Sequence, residues 1–198
     1  MIYCIETATG RITQLVHAPD SHAEHYVGDG ITVVVSDEVF EPGSAYRDGD
    51  AFIPLPEKPS PHHDWDWTTK SWLPNLDAAR ESKLQQVAAE LSARLYLPCN
   101  GFDADKVSRE RISGMIARLQ RGDGLPAGWM GWRDAENNMH WITDDAAAVL
   151  TNLTALSRAI EDREQALLVA SWTHKANIAA LTDIDAIISY DVTANCPV

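Results

Sequence analysis

The sequence predicts an α+β protein: a small antiparallel β domain over residues 1–56, a proline- and tryptophan-rich linker over 57–74, and a helical domain over 75–198 with a β-hairpin inserted at 129–142. Three observations lead there. Short β-branched stretches separated by glycine turns fill the first quarter of the chain. Clustered prolines then interrupt any regular element. After Asn75, apolar residues recur at three- and four-residue steps.

In the first domain, Tyr3 to Thr7 and Ile12 to His17 flank Ala8-Thr9-Gly10, a turn suited to a hairpin. Ile31 to Ser36 follows Gly28-Asp29-Gly30 and is almost continuously β-branched, while Ala51 to Leu55 follows the turn sequence Arg47-Asp48-Gly49-Asp50. A sheet of three to five strands accommodates them. From Pro54 to Pro74, five prolines exclude a helix or a central strand, because each removes a backbone donor and fixes φ. Trp65, Trp67 and Trp72 give this linker large apolar surfaces, and they flank a short hairpin turning at Thr68 to Ser71.

Asn75 or Asp77 caps a helix to about Leu97, with Leu84, Val87, Leu91 and Leu95 inward and Lys83, Glu90 and Arg94 outward; Pro98 stops it. A second helix covers Lys106 to Arg121, with Val107, Ile112, Met115, Ile116 and Leu119 inward and Gly122-Asp123-Gly124 ending it. Trp129 to Arg133 and Met139 to Ile142 make the hairpin. Thr143 or Asp144 opens the longest helix, where Val149, Leu153, Leu156, Ile160, Arg163, Leu167 and Ala170 follow heptad-like spacing. Arg163 interrupts the seam, and Leu150, Leu168 and several alanines widen it, so packing within the chain is expected over a coiled coil between chains. A bend near Thr182-Asp183 and an acidic tail from Tyr190 to Val198 complete the reading.

The 198 residues carry a formal charge of −13. Such a field repels phosphate backbones and anionic lipid, so no nucleic-acid or membrane partner is expected. No apolar run approaches the roughly 20 residues of a bilayer-spanning helix. The first residues lack the basic and apolar regions of a secretory signal, which predicts synthesis and retention in a cytoplasm. Cys4, Cys99 and Cys196 form no C-x-x-C pair and are expected as three buried thiols.

The chain carries no nucleophile elbow, P-loop, H-E-x-x-H or dinucleotide fingerprint. His62-His63-Asp64 with Asp66 offers metal-ligand chemistry, but adjacent histidines in an extended chain do not both face one ion, so a solvated linker and no metal are expected. Asp103, Asp105, Asp144 and Asp145 precede helices, where carboxylates satisfy free N–H groups and the macrodipole, so they read as caps. His174 reads as a satisfied or rim histidine, with no serine or cysteine placed beside it by the sequence. The seven tryptophans also fit stacking on sugar rings; burial against a hairpin accounts for them as well. The candidate interaction residues are therefore Trp65, Trp67, Trp72, Trp129 and Trp132. No catalytic residue and no cofactor are expected.

Ser108-Arg109 with Ile112 and Gly114, Trp132-Arg133-Asp134 with Asn137, and Trp172 with Lys175 and Ile178 together carry a resemblance. Over Phe102 to Ile188 the chain resembles a domain of unknown function common at the carboxyl end of tailed-bacteriophage tail and tail-fibre-associated proteins. Through Pro56 to His62 and Trp67 to Trp72, the first half is similar to the short β-rich heads of phage tail-fibre and fibre-assembly proteins. Where the family pattern often has Ala-Asp-Asn, this chain has Ala135-Glu136-Asn137. The resemblance implies a non-enzymatic structural protein of the virion tail, at the tip or baseplate, that attaches or positions tail fibres. It implies synthesis in the host cytoplasm, fibre or baseplate proteins as partners, and a homo-oligomer or symmetric multi-copy assembly. The alternatives are a tail-fibre assembly chaperone and a carbohydrate-binding module for the host receptor.

Overall fold

The computed structural model describes residues 1–197; Val198, the end of the acidic tail, lies outside the described residues. The protein is α+β and divides into two compact units, Met1–Asn75 and a second beginning at Leu76.

In the first unit, β1 (Ile2–Glu6) is the central strand of a three-stranded sheet, antiparallel to β2 (Ile12–Val16) on one side and to β3 (Ile31–Val35) on the other. Four of its five residues are buried, as a strand covered on both faces requires. Tyr3, Ile5, Ile12 and Ala45 form the core, with Leu15, Val34, Phe40 and Phe52 packed around them. Tyr3 pays no desolvation cost for its hydroxyl, which donates to Glu38 O at 2.6 Å and accepts from Phe40 N–H at 3.0 Å.

A hairpin that the sequence reading half missed follows: β4 (Ala45–Asp48) with β5 (Ala51–Pro54). Arg47 and Asp48, read as turn residues, end a strand, and the turn is the two residues Gly49 and Asp50. Gly10 closes the β1–β2 turn at φ +72°, and its carbonyl accepts from Arg47 N–H at 2.8 Å.

The short hairpin expected about Trp65, Trp67 and Trp72 is present, and the proline-rich stretch around it, read as a linker, lies within the first unit. Residues 57–74 belong to the first unit and contain the hairpin β6 (His63–Asp66) with β7 (Ser71–Pro74), in which Trp65 faces Trp72 across the strands. Pro74 sits at a strand end and Pro56, Pro59 and Pro61 precede the first strand, so the prolines exclude a helix without excluding a hairpin. The turn is fastened by Asp66, whose carboxylate accepts from Thr68 N–H and Thr69 Oγ1, both at 2.8 Å. Those bonds hold Asp66 below the ordinary carboxylate range.

In the second unit, α1 (Leu76–Leu95) packs along α3 (Ala146–Ala180), while α2 (Lys106–Gln120) and α3 enclose a core of Ile112, Leu119, Val149, Leu153, Leu156 and Ile160. β8 (Trp132–Arg133) and β9 (Met139–His140) form the hairpin between α2 and α3, and α4 (Ile184–Ser189) returns the chain to α1. Asp105 and Asp145 cap α2 and α3, and Asp183 caps α4, each carboxylate accepting backbone N–H groups of the first turn.

The stripe on α3 is buried from Val149 through Arg163 to Leu167 and continues through Ser171, His174 and Ile178; the expected inward Ala170 is replaced by Ser171. α1 departs further from expectation. Only Ala79 and Val87 are buried in it, while Leu84 is exposed. Lys83 and Arg94, expected to point outward, turn to the chain's last segment: Lys83 Nζ donates to Tyr190 O, and Arg94 to Cys196 O and Pro197 O. In α2, Val107 is likewise exposed rather than inward.

Candidate functional site

The hairpin of the second unit is organised by one carboxylate. Asp134 accepts from Glu136 N–H at 2.9 Å, from Asn138 N–H at 2.8 Å and Nδ2 at 3.1 Å, and lies 2.8 Å from His140 Nε2. Asn137, at the tip, takes φ +67°. The His140 ring first, then the Asn138 and Glu136 donors, pull the Asp134 carboxyl from 3.8 to about 2. Because the folded value is depressed, this contribution is fully present above pH 4 and is lost as the pH falls through about 2. In an NMR titration, the Asn138 amide resonance is therefore expected to hold still down to pH 3 and to move only below it. A midpoint near 4 would contradict the arrangement.

The motif residues that flagged this unit are used inside it. Arg109 donates through Nε to Ala104 O at 2.8 Å and through its terminal nitrogens to Glu164 at 2.8 Å and Leu95 O at 2.9 Å. Ser108 supplies the N–H that the Asp105 cap accepts. Ile112 and Ile178 are fully buried. Gly114 has open space around it and an ordinary helical φ, and nothing in the structure explains a requirement for glycine there.

The tryptophans expected as interaction residues are also engaged internally. Trp65 lies at the centre of a ring cluster with Tyr46, Trp67 and Trp72, the centroids 5.9, 6.2 and 5.2 Å away. Arg11 sits over Trp67 and Lys58 over Trp72, whose Nε1 donates to Pro56 O at 3.0 Å. These side chains hold the β6–β7 hairpin to the rest of the first unit. Trp129 and Trp132, with Trp141 and Phe102, pack the second hairpin onto the helical core. Beside them opens a cleft of about 410 Å³ lined by Asp103, Ser108, Arg111, Trp129, Trp132 and Asn137. Trp129 Nε1 is buried there without a hydrogen-bond partner, as is Trp65 Nε1 in the first unit.

Residues 78–194, well over half of the chain, match the model of a family described as "Domain of unknown function (DUF4376)". The chain belongs to the DUF4376 family. No curated protein and no solved structure matches it. The DUF4376 span takes in α1 from its first turn, α2, the hairpin, α3, α4 and most of the tail, and it contains the motif residues from Ser108 to Ile178.

Within the DUF4376 domain, Trp172, Met130 and Ile142 leave large apolar side chains to solvent, and none of them is among the interaction residues expected from the sequence. Trp172 is 61% exposed, one helical turn from exposed Val169 on α3. Met130 and Ile142, 71% and 72% exposed, flank the open end of the hairpin. The signal for Trp172 was its place in the stripe: it falls between the buried Ser171 and His174, off the inward face.

The possible ligand set in the first unit is occupied otherwise. His63 Nδ1 pairs with Ser60 Oγ at 2.8 Å, Asp64 with Asn75, and Asp66 with its own turn. Among the described residues, no group of three or more His, Cys, Asp or Glu side chains is placed to hold a metal ion. Nor, among them, is any helix long and apolar enough to cross a membrane.

One constellation was invisible in the sequence. His174, buried on α3, has Nδ1 2.9 Å from Tyr190 Oη and Nε2 3.5 Å from Cys196 Sγ. His174 is the satisfied histidine that was expected, and the cysteine beside it, which no sequence spacing places there, arrives because α4 reverses the chain and brings the tail back along α3. Cys196 is also partly exposed, where three buried thiols were expected; Cys4 and Cys99 are buried.

Proposed function

We propose that this protein is a non-enzymatic structural component of a bacteriophage tail, at the tip or baseplate, where it attaches or positions tail fibres and repeats with the symmetry of that assembly. The observation that carries the proposal is the exposed Trp172. Of the motif residues, Arg109, Ile112, Trp132, Asp134 and Ile178 serve the internal architecture, whereas Trp172 exposes its large apolar surface to solvent beside Val169. A tryptophan in an exposed apolar patch is the side chain that concentrates energy at protein interfaces. The resemblance to tail proteins supplies the kind of partner, and the acidic field argues for protein rather than nucleic acid or lipid.

Two measurements test it. Mass spectrometry of washed phage particles finds this chain in a fixed ratio to the baseplate proteins; its presence in the infected lysate and absence from particles would point instead to a fibre-assembly factor. Trp172→Ala leaves the folded stability within about 0.5 kcal/mol, since the side chain is mostly in water. The same variant lowers incorporation into particles at least about tenfold, the loss of one interface anchor. Normal incorporation would remove Trp172 from the interface.

A further inference from the structure

The tail segment that closes the second unit brings a thiol, an imidazole and a phenol together at the edge of a cleft. His174 is 5% exposed and its ring is fixed from behind: Tyr190 Oη lies 2.9 Å from Nδ1, and the same oxygen accepts from Asn177 Nδ2 at 3.2 Å. That leaves Nε2 directed at Cys196 Sγ, 3.5 Å away. The tail is held in place by α1, through Lys83 to Tyr190 O at 3.0 Å and Arg94 to Cys196 O and Pro197 O at 3.1 and 3.3 Å.

The cleft in front of the sulfur measures about 900 Å³ and is lined by Ala166, Val169, Thr173 and Asn177 of α3 and by Cys196 and Pro197 of the tail. Its walls combine apolar surface with amide and hydroxyl groups, and its size suits a small peptide rather than an ion. A cysteine packed only to fill space has no use for an oriented imidazole or an open cleft. The arrangement is instead what activates a thiol: a base within reach and a third group orienting the base.

We propose that Cys196 is a nucleophilic thiol with His174 as its proton acceptor, and that the cleft admits a low-molecular-weight disulfide with which Cys196 exchanges. In the resting thiol, Val192 O, 3.6 Å from the sulfur, also takes the S–H. In the exchange, the proton passes to His174 Nε2 and the sulfur attacks one sulfur of the disulfide. A new S–S bond joins Cys196 to that half and the incoming S–S bond breaks. The departing thiolate takes the proton from His174. Cys196 is oxidised to a mixed disulfide, and the other half of the disulfide is reduced to a thiol.

The test uses the full chain and oxidised glutathione, with adducts located by peptide mass spectrometry. Native protein is expected to gain one glutathione, at Cys196, at least about tenfold faster than the same cysteine reacts in urea. Cys4 and Cys99 serve as internal controls: both are buried, and burial raises the Cys4 pKa. His174→Gln, shown to be folded by circular dichroism, is expected to bring the native rate down to or below the urea rate. A native rate no higher than in urea, adducts confined to Cys4 or Cys99, or a folded His174→Gln that reacts like the wild type would each overturn the proposal. The comparison of native with denatured wild-type protein decides it even where the variant does not fold.

Discussion

Replacing Arg163 with leucine is expected to lower the stability of the helical unit by about 3 kcal/mol, although the substitution puts an apolar residue into an otherwise apolar stripe. The reason lies in how α1 ends. The last carbonyls of a helix have no donors of their own, and Pro98 prevents the chain beyond Leu95 from supplying an N–H at that position. Arg163, 8% exposed, reaches over from α3 and donates to Leu97 O at 2.6 Å, Pro98 O at 2.9 Å and Leu95 O at 3.4 Å. Arg109 donates to the same Leu95 O from α2.

Three elements therefore meet on one set of carbonyls. Leucine at 163 removes the part-buried bonds to Leu97 O and Pro98 O, and a hydrogen bond from a charged group contributes about 1.5–3 kcal/mol. Arg163→Lys keeps the charge but not the fork, and is expected to recover less than half of the loss. Arg158→Leu, at an exposed position of the same helix, is the control and is expected to change stability by no more than about 0.5 kcal/mol. Urea unfolding followed by far-ultraviolet circular dichroism measures all three. A loss under 1 kcal/mol for Arg163→Leu would show that the carbonyls find other donors.

Gly10→Ala is the second large effect, in the first unit. A Cβ at residue 10 would stand 2.1 Å from Arg47 O and 3.2 Å from Arg47 C, in a backbone already at φ +72°. The obstacle is backbone, not a side chain that can swing away, and it is the backbone that receives the Gly10 carbonyl through Arg47 N–H. Relief requires the β1–β2 turn and the turn end of β4 to separate, at a cost of more than about 2 kcal/mol. Gly30, at φ +74° with open space around it, isolates the conformational part: Gly30→Ala is expected to cost about 1 kcal/mol. Hydrogen exchange read by mass spectrometry on the β1, β2 and β4 amides distinguishes the two variants. Equal effects would mean that the close approach at Gly10 is relaxed without cost.

The fold was legible wherever burial follows a period. The α3 stripe from Val149 to Leu167 is such a case, as are the carboxylate caps at Asp105 and Asp145, because each depends on neighbours within one or two turns. The reading failed where long-range partners decide. On α1, Lys83 and Arg94 have the composition of an outer face, yet they bind carbonyls more than a hundred residues further along the chain. Ala45 to Asp48 shows no alternation and becomes a strand because β5 folds back on it.

Between Pro54 and Pro74 the prolines excluded a helix and the tryptophans marked the hairpin that the cross-strand pair Trp65–Trp72 closes; that the stretch joins the first unit depends on the ring contact with Tyr46, which no spacing shows. For the candidate residues the sequence marked tryptophan without indicating direction. Trp65, Trp67, Trp72, Trp129 and Trp132 turn inward to varying degrees, and the exposed indole is Trp172. The Cys196–His174–Tyr190 group spans 22 residues of sequence with a helix reversal between, so no spacing rule could reveal it.

The central claim is that this chain works by fitting its surfaces against other tail proteins. An electron cryomicroscopy map of the phage tail, with this chain fitted as its two units, tests it most directly. The account predicts density for the chain at the tail tip or baseplate, with Trp172 buried against a different protein. A tail map without the chain, or one in which Trp172 still faces solvent, would contradict it.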